Sequence, residues 1–149
     1  MTATLSSRHA TAARALLAGG LLLWIAAAIH FLAVPLLARA VAARLPPEGY
    51  AFVAPPLLFS FVLDGILLVP LGFTAMYCAG GVRRGERWAW VLGLVSSVVV
   101  LLLPVVLLII MGVRYFSAKP FLAAALVVAT AGVMMTVSLL RLPRIDAAV

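Results

Sequence analysis

Two ionisable side chains, His30 and Asp64, stand inside long apolar runs of this 149-residue chain. An imidazole beside a carboxylate has definite uses. The carboxylate fixes the tautomer and orientation of the ring. Where water is scarce, the two groups share or relay a proton. The pair can equally hold a small polar ligand between helices. Hydrolysis would need a nucleophile as well. Ser60, one turn before Asp64, joins the two as a candidate ligand- or proton-site residue. No serine of the chain sits in a Gly-x-Ser-x-Gly elbow, however, and no catalytic residue is assigned.

The same inventory argues against metal and cofactor chemistry. Zinc takes three or four protein ligands, and the apolar runs offer only His30, Asp64 and Cys78. Cys78 follows Asp64 by 14 residues, about 21 Å along a helix, and cannot join it. A bis-histidine haem lacks its second histidine. No metal and no cofactor is therefore expected. A single cysteine also excludes an intrachain disulfide, and Cys78 reads as a small packing residue.

Charged residues delimit the elements that must position this pair. Four apolar runs lie between them, at about 15–38, 55–80, 88–113 and 120–140, the second interrupted only by Asp64. Each reaches the ~20 residues needed to cross a hydrocarbon core ~30 Å thick. None alternates apolar and polar residues as membrane strands do. The fold class predicted is all-α: one membrane domain over residues 1–149, a four-helix bundle of sequential antiparallel helices. Pro55-Pro56 and Pro120 stand where helices would start, and Gly80-Gly81 where one would stop. Pro35, Pro70 and Pro104 fall inside runs and predict kinks. Arg8 and Arg14 precede the first run as in a secretory leader. At 24 residues, though, that run exceeds the 7–15 of a signal core and reads as a retained span.

Asp64 is compatible with insertion. A central Asp costs about 2.5–3.5 kcal/mol, whereas the twelve Leu, Ile, Val and Phe residues from Leu57 to Phe73 favour insertion by roughly 4–7 kcal/mol. His30 precedes Arg39 by nine residues, and Asp64 follows Pro55 by nine. Both would then lie ~14 Å below one boundary, on adjacent helices. Small residues at helical spacing predict the inward faces. These are Gly19, Leu23, Ala26, Ala27, His30 and Ala33 on the first helix, and Ser60, Asp64, Leu68 and Gly72 on the second. The third presents Gly93, Ser97, Val100, Pro104 and Met111, and the fourth Ala124, Val128, Ala131, Met135 and Ser138.

Composition sets the frame. Hydrophobic residues make up 66% and charged residues 10%, against roughly 45–50% and 25% in soluble domains. The excess apolar surface needs lipid, so the expected partner is a bilayer, joined by a membrane protein or a second copy of the chain. The net charge of +7 does not indicate nucleic acid, because the basic residues sit at the ends of the apolar runs. Arg8, Arg14, Arg83, Arg84, Arg87, Arg141 and Arg144 share one side, against Arg39, Arg44, Arg114 and Lys119 on the other. The positive-inside rule then places both termini in the cytoplasm, in a cell (inner) membrane. Arg114, Tyr115, Trp88 and Trp90 are expected as interfacial anchors. Trp24 falls near mid-membrane, where its indole N–H needs a partner. The expectation for function is binding or transport of a small polar ligand or proton through His30 and Asp64. The alternatives are an accessory subunit of a larger membrane complex and a small intramembrane enzyme, with catalysis the least favoured.

Overall fold

The computed structural model describes residues 2–113 and 119–142, and these form four helices. They are α1 (Thr2–Ala42), α2 (Pro47–Arg83), α3 (Arg87–Met111) and α4 (Lys119–Leu140). All four are long and apolar enough to cross a membrane, which supports a multi-pass membrane protein. Arg114, Tyr115 and Arg144 lie outside the described residues.

The helices form an antiparallel four-helix bundle in which α1 adjoins α2 and α4, and α3 adjoins α2 and α4. Residue pairings give the direction at each seam. Along α1 and α2, Gly20 meets Gly72 and His30 meets Gly65; between α2 and α3, Gly81 meets Ala89 and Cys78 meets Gly93. On α3 and α4, Trp90 meets Leu139 and Leu101 meets Gly132. The start of α1, the α2–α3 turn and the end of α4 therefore share one end, here the lower end. That turn is short. Gly85 takes φ +77°, and the Arg84 guanidinium grips the Glu86 carboxylate, holding it below the usual glutamate range.

Two boundaries differ from expectation. Helix α1 runs past 15–38 at both ends, because a charge that ends a membrane span does not end a helix. Helix α2 begins at Pro47 and not at Pro55. Proline at the first helical positions removes no internal bond, and Pro46-Pro47 supplies that start eight residues earlier. Helix α2 then continues through Pro55, Pro56 and Pro70, as α1 does through Pro35 and α3 through Pro104. The consequence is a long hairpin beside a short one. Phe121, at the start of α4, contacts Phe61 of α2, yet α2 begins 14 residues before Phe61. The α1–α2 hairpin therefore extends about 20 Å past α4 along its axis.

The core follows the small-residue stripes. Every residue of the predicted α1 face is buried, as are Gly93, Ser97 and Val100 on α3, and Ala124, Val128, Ala131 and Met135 on α4. Cys78 packs fully buried among them. Serines do not disturb the packing, since Ser96, Ser97 and Ser138 donate to carbonyls one turn earlier on their own helices. The face of α2 is rotated by one residue in its upper half. Phe61, Gly65, Leu68, Gly72 and Ala75 are buried, while Ser60 is exposed and Asp64 half-buried.

The tightest seam lies between α1 and α2. A Cβ on Gly72 would stand 2.6 Å from Trp24 Cδ1 and 2.9 Å from the Gly20 carbonyl, and one on Gly20 would stand 2.7 Å from the Gly72 carbonyl. A Cβ on Gly93 would meet only ordinary contacts of 3.5–3.7 Å. Gly72→Ala is expected to destabilise the protein by about 1–3 kcal/mol through overpacking. Gly93→Ala, equally buried, should stay within about 1 kcal/mol of wild type. Thermal unfolding of both variants in one detergent checks the contrast, and equal effects would mean that the seam is not the tight contact described.

Candidate functional site

The seam that Gly20 and Gly72 draw together continues upward to the candidate residues. Trp24 sits one turn above Gly20, and its Nε1–H donates to the Val69 carbonyl at 3.2 Å. That bond supplies the partner a mid-membrane indole requires. Its ring meets Phe73 edge-on at 4.6 Å between centroids. Higher still, Gly65 removes the side chain that would otherwise press on His30. A Cβ there would lie 3.0 Å from His30 Cβ and 3.1 Å from the Phe31 ring. His30 is thereby buried, 8% exposed, with its ring 4.6 Å from that of Phe61. Phe61 in turn meets Phe121 edge-on at 5.1 Å.

The imidazole is oriented from its own helix. His30 Nδ1 lies 2.8 Å from the Ala26 carbonyl. A carbonyl only accepts, so Nδ1 carries the hydrogen and donates. In the neutral ring Nε2 is then an unprotonated acceptor, and a proton reaching the ring binds there. Ordinarily a carboxylate or carbonyl on one ring nitrogen sets the task of the other. Here the Ala26 carbonyl takes the orienting part, which leaves Asp64 free of it.

His30 and Asp64 line one cavity of about 60 Å³ between the helices. No hydrogen bond or ion pair joins them directly. Apart from these two, every lining side chain is apolar, including Leu68 of α2, Leu103 and Pro104 of α3, and Phe121 and Ala124 of α4. The cavity wall runs from Leu107 and Phe121, near the upper ends of α3 and α4, down to Val128, nine residues into α4. Leu107, also on its wall, precedes the end of α3 by only four residues, about 6 Å. Phe121 follows the start of α4 by two.

Ser60 is not brought to the cavity. Its exposed hydroxyl donates to the Leu57 carbonyl at 2.9 Å. The residues of α2 that pack against His30 are instead Phe61 and Gly65. Their signal in the sequence is present but one position off the polar stripe. Trp88 and Trp90 stand near the lower end. Trp88 is 43% exposed and lies 5.3 Å from the Tyr77 ring. Trp90 is half-buried and donates to the Leu139 carbonyl at 3.1 Å, tying α3 to α4. Among the described residues no three metal-ligating side chains converge.

No protein-family model, curated protein or solved structure matches the chain, so its own residues carry the argument. If His30 and Asp64 share the cavity as described, their effects on stability are coupled. In a double-mutant cycle of His30→Ala and Asp64→Asn, measured by thermal unfolding in detergent, the double variant should depart from the sum of the singles by at least about 0.5 kcal/mol. Additive effects would place the two residues in separate environments.

Proposed function

We propose that this chain is a multi-pass protein of a cell (inner) membrane that binds and passes a proton, or holds a polar ligand of comparable size, at His30 and Asp64. The observation that carries this reading is the cavity between the helices, apolar on every side except for these two groups. An acid and an imidazole inside a span are costly to insert and by default functional. Cavity size narrows the ligand. At about 60 Å³ it has room for a few waters, each with a share of ~30 Å³ in the liquid. Sites for drug-sized molecules need ~300–1,000 Å³. A proton carried on water fits, and a larger solute does not. His30 is suited to the part: Nδ1 is engaged by Ala26, so a proton enters and leaves at Nε2. Asp64 supplies the second acceptor.

Reconstitution tests this reading. Liposomes holding a pH-sensitive dye should lose an imposed proton gradient faster with wild-type protein than without it. Asp64→Asn, which keeps shape and hydrogen bonding, should insert normally and return the rate to the background of empty liposomes. Wild-type protein indistinguishable from empty liposomes would contradict proton passage. One further observation favours the accessory-subunit reading. The α1–α2 hairpin beyond α4 presents Phe52 and Val53 at 83% and 41% exposure, an apolar tip suited to a membrane partner. A null result in liposomes transfers the weight to that reading.

The orientation proposed puts the lower end in the cytoplasm, since seven basic residues belong to that side and four to the other. With Cys78 replaced by Ala and Gly85 by Cys, an impermeant thiol reagent applied outside intact cells should leave position 85 unlabelled until the cells are opened. Strong labelling from outside would invert the topology.

A further inference from the structure

At the lower end, away from His30 and Asp64, a second cleft of about 350 Å³ opens between the first turns of α1 and the end of α4. Its wall carries Arg8 and Arg141 with the hydroxyl residues Ser7, Thr11 and Ser138, closed at the back by the buried Leu142. Two arginines, one from α1 and one directly after α4, thus line one space. Three carboxylates belong to the described residues, and none serves this space. Glu86 pairs with Arg84, Asp64 lines the upper cavity, and Glu48 begins α2 at the other end. The positive charge has no counter-ion among the described residues.

Shape, charge and depth agree on what would supply one. The planar fork of arginine matches phosphate oxygens, while the Thr11 and Ser138 hydroxyl hydrogens are already given to the Ser7 and Met134 carbonyls. Arg141 directly follows the last residue of α4, which is the level of lipid headgroups. One and two turns toward the bundle on the same face of α4, Val137 and Val133 are 39% and 48% exposed. They form an apolar lane leading away from the basic cleft. A free anion has no use for that lane, whereas an acyl chain does. We propose that this cleft binds the phosphate of an anionic phospholipid, with Arg8 and Arg141 on the headgroup and the α4 flank along a chain. Basic pockets between membrane helices are suited to such headgroups.

The test uses full-length delipidated protein in a neutral detergent, titrated with phosphatidylglycerol, phosphatidylcholine or inorganic phosphate and followed by thermal unfolding. Phosphatidylglycerol should stabilise the wild type saturably, and the other two should not. Arg8→Gln with Arg141→Gln should weaken the apparent affinity about 30-fold, roughly fivefold for each charge. Arg39→Gln with Arg44→Gln, at the opposite end, should leave it unchanged. Should the first pair fail to fold, Ser138→Leu fills the cleft without altering charge and should weaken binding likewise. Equal stabilisation by phosphatidylcholine, equal loss in the Arg39/Arg44 pair, or wild-type affinity in Ser138→Leu would overturn the proposal. Stabilisation by inorganic phosphate equal to that by the lipid would also overturn it, reducing the cleft to a site for the free anion.

Discussion

The contact between Gly20 and Gly72 is the constraint on which the arrangement of α1 and α2 depends. In lipid, one apolar helix gains little from leaving acyl chains for another, so association rests on close packing and on interhelical hydrogen bonds. Two glycines facing each other provide the first. The Trp24 indole, seated over Gly72 and donating to Val69, provides the second. Once those two contacts are made, the antiparallel register is set. His30, ten residues after Gly20, arrives beside Gly65 and Phe61, and Asp64 is placed at the edge of the same seam. The candidate site is thus a consequence of packing two turns below it.

The short hairpin completes the site and limits it. Helices α3 and α4 close the cavity with Leu103, Pro104, Phe121 and Ala124, and they end close above it. Proline at 104 has no N–H to give, and glycine at 132 lets α4 approach the backbone of Leu101, so the two helices meet tightly just below the cavity. The result is a small polar centre with dry walls, near one end of the bundle. A low local dielectric strengthens whatever charge interaction His30 and Asp64 make. The other end of the molecule has a different character, with Arg8 and Arg141 lining a wider cleft in which no carboxylate of the described residues stands.

Much of this architecture is legible in the residues alone. Charge-delimited runs locate all four helices, because a charge is expensive in lipid and cheap at its border. The small-residue stripes match the buried faces of α1, of α3 from Gly93 to Val100 and of α4 from Ala124 to Met135, since small residues are what close approach demands. The need of Trp24 for a partner is likewise visible. The start of α2 is not, because Pro55-Pro56 is as good a helix start as Pro46-Pro47, and local chemistry does not choose between them. The face of α2 reads correctly at Leu68 and Gly72 and one residue out above them, because polarity draws the stripe through Ser60 and Asp64. Packing instead selects Phe61 and Gly65, whose roles emerge only when His30 is opposite.

His30 and Asp64 line one small cavity, and the imidazole is held through Nδ1, so that a proton reaching the ring binds Nε2. Magnetic resonance of nitrogen-labelled histidine in lipid bilayers tests it most directly, with His9 replaced so that His30 alone reports. The account predicts a hydrogen on Nδ1, magnetisation transfer from water to the ring at Nε2, and a changed Nε2 signal when Asp64 is replaced by Asn. A ring with no contact to water, whose signals are the same with Asp64 or Asn at position 64, would contradict it.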